Sequence, residues 1–341
     1  MKRLGRYTLL FERRPAILGH AAVCGKKEAA GPLARDFDQT FLDSYLNQES
    51  WEKAESMLQT EAANLAIRKA GLQKQEINMV FAGDLLNQCI SSTFGLRGMD
   101  IPFLGQYGAC STMAQTLIMA SIMVECGAAN YACAVTSSHF CTAERQFRTP
   151  LEYGSQRAPT AQWTATASGS TVLGMSGDIQ VRHATVGRIT DLGVTDMTNM
   201  GAAMAPAAAQ TLCQYFADTG HKPEDFDLIL TGDLGFVGSR LLERLMQAEG
   251  YPMAKLHNDC GLMIYDRLTQ DVHAGGSGCG CAASVLCSFI LPQIACHRLK
   301  NVLFLATGAL MSPTSVQQGE SIPGIAHLLH LSDQPNSPEQ L

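Results

Sequence analysis

Apolar and polar positions along the chain fall into a pattern that occurs twice. From Lys69 to Leu85 an amphipathic stretch closes on Gly71, passes through a short polar turn and enters an apolar run ending in Gly83-Asp84-Leu85. From Asp218 to Leu234 the same order recurs without a gap, closing on Gly220 and ending in Gly232-Asp233-Leu234, at a constant offset of 149 positions. Each copy predicts a helix stopped by a C-terminal glycine, a turn and a buried strand. Ser50 is placed to cap the first helix, which runs to Lys69, and its partner is expected over residues 202–217. A second pair of apolar runs, Tyr131 to Ser137 and Asn301 to Thr307, matches at an offset of about 170, so some 20 extra residues are expected in the second half, around residues 257–273. Ahead of each run a small-residue turn feeds an apolar helix, beginning near Gly108-Ala-Cys110 and near Gly278-Cys-Gly280.

Strands alternating with helices in this way predict an α/β fold with parallel-rich sheets covered by helices. The duplication predicts two halves, 1–177 and 178–341, related by a pseudo-twofold axis. Met113 to Val124 is the longest apolar stretch and ends at Glu125, far short of the roughly 20 residues a bilayer span needs, so it reads as a core helix.

Composition narrows the function classes. With 46% hydrophobic and 16% charged residues, 341 residues suffice for an extensive core. A formal net charge of −6, with no run of Lys and Arg, argues against a nucleic-acid partner. The basic start, Met1 to Tyr7, leads only into a short apolar patch and Glu12-Arg13-Arg14, which is not a secretory signal. Twelve scattered cysteines, mostly in apolar runs, suit buried thiols in a reducing compartment, and a cytoplasmic location is expected. Neither Cys279-Gly-Cys281 nor Cys133 and Cys141 has a usual zinc spacing, and no metal site is expected. His183, His221, His297 and His330 read as isolated surface or packing residues.

Cys110 is the most chemically suggestive position. A thiol in the first turn of a helix meets unpaired N–H groups and the positive end of the helix dipole, both of which favour thiolate. The repeat places Cys110 opposite the turn at residues 278–280, so a pocket is expected where the two meet.

These features resemble the thiolase and ketoacyl-synthase superfamily: a duplicated half, a cysteine opening a buried helix and a late Gly-x-Gly-x-Ala-Ala-Ser turn. That resemblance implies two helix-covered mixed sheets in a five-layer αβαβα arrangement. Longer strings, residues 136–148, 151–166, 257–261 and 317–323, resemble the stage V sporulation protein AD family. The family is described as the soluble component of a spore dipicolinic acid channel. The resemblance therefore implies a dipicolinate-binding protein without a cofactor, peripheral on the forespore or spore inner membrane, with membrane-embedded SpoVA partners and a homodimeric state. Calcium enters only as a chelate partner of the ligand.

Binding rather than catalysis is expected because the superfamily's acid–base partners are missing. Gly232 stands where its histidine is expected, and Cys279 where an Asn is expected. The alternative is an acyl-thioester condensing or transfer enzyme using Cys110, with His139 or His257 filling the gap. A planar dicarboxylate calls for guanidinium forks and an aromatic or apolar slot. Arg145, Arg148 and Arg157, interleaved with Phe140, Phe147, Tyr153 and Trp163 and close to His139, supply those groups in one stretch. Asp233, Asp259 and Glu320 are the carboxylates for a calcium chelate. Cys110, Cys279, His257 and Ser321 complete the expected ligand-binding set.

Overall fold

The computed structural model describes residues 1–147 and 157–333. In its first half come the hairpin β1 (Lys2–Leu4) and β2 (Thr8–Leu10), then β3 (Ala16–Cys24), β4 (Gln39–Thr40), α1 (Trp51–Lys69), β5 (Met79–Gly83), α2 (Ile90–Leu96) and β6 (Phe103–Gly105). These lead to α3 (Thr112–Glu125), β7 (Ala132–Ser138), α4 (Phe140–Phe147), β8 (Trp163–Thr164) and β9 (Ala167–Gly174). The second half holds β10 (Ile179–Thr185), α5 (Met200–Thr219), β11 (Leu228–Thr231), α6 (Gly235–Ala248), β12 (His257–Asp259), α7 (Cys260–Met263) and β13 (Gly276–Ser277). It ends with α8 (Cys279–Val285), α9 (Leu291–Ala295), β14 (Asn301–Ala309), α10 (Pro313–Gln317) and β15 (Gly324–Ser332).

The strand order shows the duplication directly. One set runs β6-β5-β7-β9-β3 and the other β12-β11-β14-β15-β10, each parallel in its first two pairings and antiparallel in its last two. The two sets also touch, through Ile17 opposite Ile179 and Ala16 opposite Gln180, so hydrogen bonding runs unbroken from one to the other. The extra residues of the second half lie between Asp259 and Cys279, where α7 and β13 have no first-half counterpart.

Local chemistry explains why the copies fold alike. Ser50 accepts from the Lys53 N–H at the start of α1, and Asn199 accepts from the Ala202 N–H at the start of α5, two residues earlier than expected. Both helices end beside a glycine in the left-handed region, Gly71 at φ 73° and Gly220 at φ 76°. Asn78 accepts from the Asn130 and Tyr131 N–H groups, and its repeat equivalent Asp227 accepts from those of Lys300 and Asn301. Each short polar side chain thus ties the start of one inner strand to the start of its neighbour.

Three apolar layers result. Ala54, Leu58, Ala62 and Ala66 recur every fourth residue on α1 and pack on Val80, Val135 and Val172. On the opposite outer face, Met204, Ala208, Leu212 and Tyr215 of α5 pack on Leu303, Leu305 and Leu328. Between the sheets lie α3 and α8, whose Met113, Leu117, Ala282 and Val285 share one core with Phe81, Ala134, Phe304 and Leu329. The five-layer arrangement is thus present. Among the described residues no helix is long and apolar enough to cross a membrane.

Candidate functional site

The site forms where the starts of the two central helices meet. Ala109 takes a left-handed φ of 50° and turns the chain from β6 into α3, leaving Cys110 just ahead of the first helical turn. From the other half Gly308 permits the approach, since a Cβ there would lie 2.4 Å from the Gly108 carbonyl oxygen. Cys110 Sγ then sits 3.9 Å from Ser277 Oγ. Cys279 is next to it in a small apolar group with Leu85 and Ala143, but its thiol donates to the Ser137 carbonyl at 3.0 Å and points away into the first sheet.

Behind Cys110 lies a buried carboxylate. Asp233 accepts from Ser277 Oγ (3.1 Å), the Gly278 N–H (2.8 Å) and Thr307 Oγ1 (2.9 Å). Burial raises its pKa, while these donors pull it back down. The same surroundings overturn the expectation of a thiolate at Cys110. Burial, then the negative charge of Asp233, push the thiol well above its ordinary pKa. Desolvation and a like charge therefore outweigh the helix dipole, and Cys110 is held as a neutral thiol.

In front of the thiol opens a cavity of about 290 Å³, at the lower end of the range for ligand pockets. Leu85, Phe147, Met197, Met200 and Met311 give it apolar walls, while Tyr107, Arg157, Gln162, Thr164 and Ser277 provide polar groups. Arg157 is the cation of this wall. Its Nη1 donates to Glu144 Oε1 at 3.1 Å and Nη2 to the Gln162 carbonyl, and the guanidinium lies 5.2 Å from the centre of the Trp163 ring. Its Nε is buried and has no hydrogen-bond partner among the described residues. Phe140 and Trp163 stack at 3.7 Å between ring centres and support the guanidinium from one side. Gln162 is held by two bonds of 2.7 Å, from Nε2 to the carbonyls of Asp233 and Gly276, so its position links the cavity to the buried carboxylate.

The other expected site residues lie elsewhere, for identifiable reasons. His139 is buried under the loop at residues 43–46: Nε2 meets the Ser44 carbonyl at 2.7 Å and Nδ1 accepts from the Cys141 N–H. Burial lowers its pKa, so it is a neutral structural imidazole. Arg145 is exposed, paired with Glu52 and stacked near Trp51. Arg148 lies outside the described residues. His257 bonds Thr231 and Glu243, and Asp259 accepts from Thr231 Oγ1 and the N–H groups of Leu234 and Gly235, capping α6. Glu320 is exposed, and Ser321 donates to Asp191 at the surface. Among the described residues neither these side chains nor any histidine lines the cavity.

Sequence reasoning missed Gln162, Tyr107 and Ser277. Gln162 lies inside the unusual string 151–166, but a neutral amide carries no charge signal to single it out.

The family model for stage V sporulation protein AD (SpoVAD) matches residues 5–332. The stage V sporulation protein AD of Bacillus subtilis (strain 168) is 48% identical over 328 residues, covering 96% of this chain and 97% of that protein. Among solved structures, cerulenin-bound OleA of Xanthomonas campestris matches with a TM-score of 0.61 at 14% identity over 95% of this chain and 98% of its own. The 3-oxoacyl-(acyl-carrier-protein) synthase III of Aquifex aeolicus matches with a TM-score of 0.58 at 13% identity over 93% of this chain and 99% of its own. At such identities the structural likeness is one of fold: a thiolase-like fold carries a sequence whose near relative is a sporulation protein. This chain therefore belongs to the stage V sporulation protein AD (SpoVAD) family.

Proposed function

We propose that this chain is a non-enzymatic binding protein of sporulation that takes dipicolinic acid into the cavity beside Cys110. The observation that carries the reading is the wall itself: a guanidinium whose buried Nε has no hydrogen-bond partner among the described residues lines the same cavity as a thiol that burial and Asp233 keep protonated. A flat aromatic dicarboxylate finds there a charged group in Arg157, neutral donors in Tyr107 and Thr164, and methionine and leucine walls for its ring. Arg157 already faces Glu144, so a dianion has to displace that carboxylate or arrive with a cation. For a calcium chelate, Glu144 is the carboxylate on the wall, in place of Asp233, whose oxygens are occupied by internal donors, and of Asp259 and Glu320, which do not line the cavity. Calorimetric titration with dipicolinate, with pyridine-2-carboxylate as control, tests this. Binding that Arg157→Ala weakens at least about tenfold is the expected result, and no heat at millimolar ligand overturns it.

A second reading rests on the apolar walls, which also suit an acyl chain placed against Cys110. Incubation with acyl-CoA followed by intact-mass measurement separates the two. An adduct lost in Cys110→Ser supports acyl transfer, whereas an unmodified chain supports binding alone.

The same proposal has the chain act at the cytoplasmic face of the forespore or spore inner membrane as the peripheral partner of membrane-embedded SpoVA proteins. What supports a peripheral role is the want of any membrane-crossing helix among the described residues. A homodimer is supported by the edge strand β6, where Phe103 and Leu104 stand exposed near Phe94 and Tyr107. Light scattering on the purified chain tests this last point, a monomeric mass counting against it.

A further inference from the structure

Far apart in sequence, His183 of β10, His330 of β15 and His221 just past α5 come together on the outer face of the second sheet. This corrects their reading as isolated residues. Each offers one nitrogen, and the three nitrogens lie within 4.8 Å of one another. Nδ1 of His183 is 3.2 Å from Nδ1 of His330, and the Tyr215 hydroxyl is 3.3 Å from the first and 3.2 Å from the second. A tetrahedral ion bound at about 2.0–2.1 Å holds its ligand atoms about 3.3–3.4 Å apart, so these three atoms already match one face of its coordination shell. His221 sits on a half-buried turn and needs only a small approach to close the fourth corner.

The outer partners are also of the right kind. Asn301 Oδ1 accepts from His330 Nε2 at 3.2 Å, which leaves the Nδ1 lone pair facing inward. Asp225 Oδ2 lies 3.1 Å from His221 Nδ1, which leaves Nε2 as the ligand atom. A carboxylate or amide behind each imidazole is the usual support of a metal-bound histidine. The duplication supplies an internal control. The first-half equivalents of His183, His330, Tyr215 and His221 are Gly19, Val172, Ala66 and Leu72, which pack helix on sheet with no polar group. Packing alone therefore does not require the histidines.

We propose that His183, His221 and His330, with Tyr215 at the fourth corner, bind a divalent transition-metal ion of tetrahedral preference, zinc being the best match. The imidazoles donate lone pairs, and the Tyr215 hydroxyl releases its proton to solvent. Arg14 and Arg182 face the cluster and oppose a dication, while the Tyr215 phenolate and Asp225 offset them. Bound there, the ion pins α5 and its turn to β10 and β15, away from the cavity at Cys110.

The test uses the full chain stripped with a chelator and titrated with zinc chloride, and in parallel with cobalt(II) chloride. Expected are one zinc per chain, a raised Tm, and tetrahedral cobalt bands without thiolate charge transfer. His221→Leu restores the residue of the first half. This variant is expected to keep the metal-free Tm, weaken zinc at least about tenfold and lose the cobalt bands, with Tyr215→Phe weakening zinc as well. Zinc binding unchanged in His221→Leu, a thiolate-type cobalt spectrum, or no stoichiometric zinc in the wild-type chain overturns the proposal.

Discussion

Ala66 of α1 and Tyr215 of α5 occupy the same step of the repeat, yet one brings its helix down onto bare backbone and the other holds it off with a polar cluster. At Gly19 an added Cβ would lie 2.4 Å from the Ala66 carbonyl oxygen, so α1 rests directly on β3. At the matching place on β10 stands His183, and α5 makes room for it. The carboxylates of the two Gly-Asp-Leu strand ends diverge in the same way. Asp84 accepts from the Leu86 N–H and from the Ser92 N–H and hydroxyl, so it caps the start of α2 within its own half. Asp233, its equivalent, reaches Ser277, Gly278 and Thr307 and borders Cys110. At these matched positions the first half keeps its contacts local, while the second half turns them to a polar cluster and to the border of Cys110.

The largest difference between the halves is expected at Gly19. Gly19→Ala is expected to cost about 3 kcal/mol in chemical denaturation, because the helix above has no slack. Next come the two aspartates. Asp233→Ala and Asp84→Ala should each cost about 2 kcal/mol by leaving buried donors unmet. Only Asp233→Ala should also speed alkylation of Cys110, since only there is a like charge removed from beside the thiol. Equal alkylation rates in the two variants would erase the distinction.

A third contrast lies one helical turn inside α1, where Glu55 is buried at the place that Met204 fills in α5. Burial, then the Asp84 charge, raises the Glu55 pKa from 4.5 to about 8. An acid with a raised folded pKa keeps its proton in the native state. Its contribution is full below about 4.5 and is lost as pH rises toward 8, by up to about 1.4 kcal/mol per unit. Glu55→Gln is expected to flatten that part of the stability–pH curve. The smallest effect sharpens what the halves share: Ser50→Ala and Asn199→Ala, each removing a helix cap, should both lower stability by about 1 kcal/mol.

Local signals carried much of this into the sequence. Gly71 and Gly220 are legible because only a left-handed terminus asks for glycine there, and the Gly-Asp-Leu strand ends follow at the same offset. Cys110 and Arg157 were found through helix-start position and charge, and both line the cavity. What stayed hidden depends on contacts between distant segments. His183 and His330 are cross-strand neighbours only because of a register shift beside Val181, which no local pattern encodes. The state of the Cys110 thiol depends first on burial and then on Asp233, brought from the other half of the chain, neither of which a rule about helix starts contains. His139 stands at a strand's C-terminal end, where a ligand contact is expected, but the loop carrying Ser44 covers it.

The central layer has a consequence for how the molecule can be assembled. Although it belongs to the second half, α8 lies against β7 and β9 of the first, while α3, from the first half, reaches β14 and β15 of the second. Each half therefore lends the other part of its interior, and neither can dry its own core alone. Such pairing across the whole chain makes folding slow. A ribosome releasing the first half must shelter its bare inner face until the second arrives, and cutting the gene at the repeat junction would yield two sticky fragments instead of two small proteins.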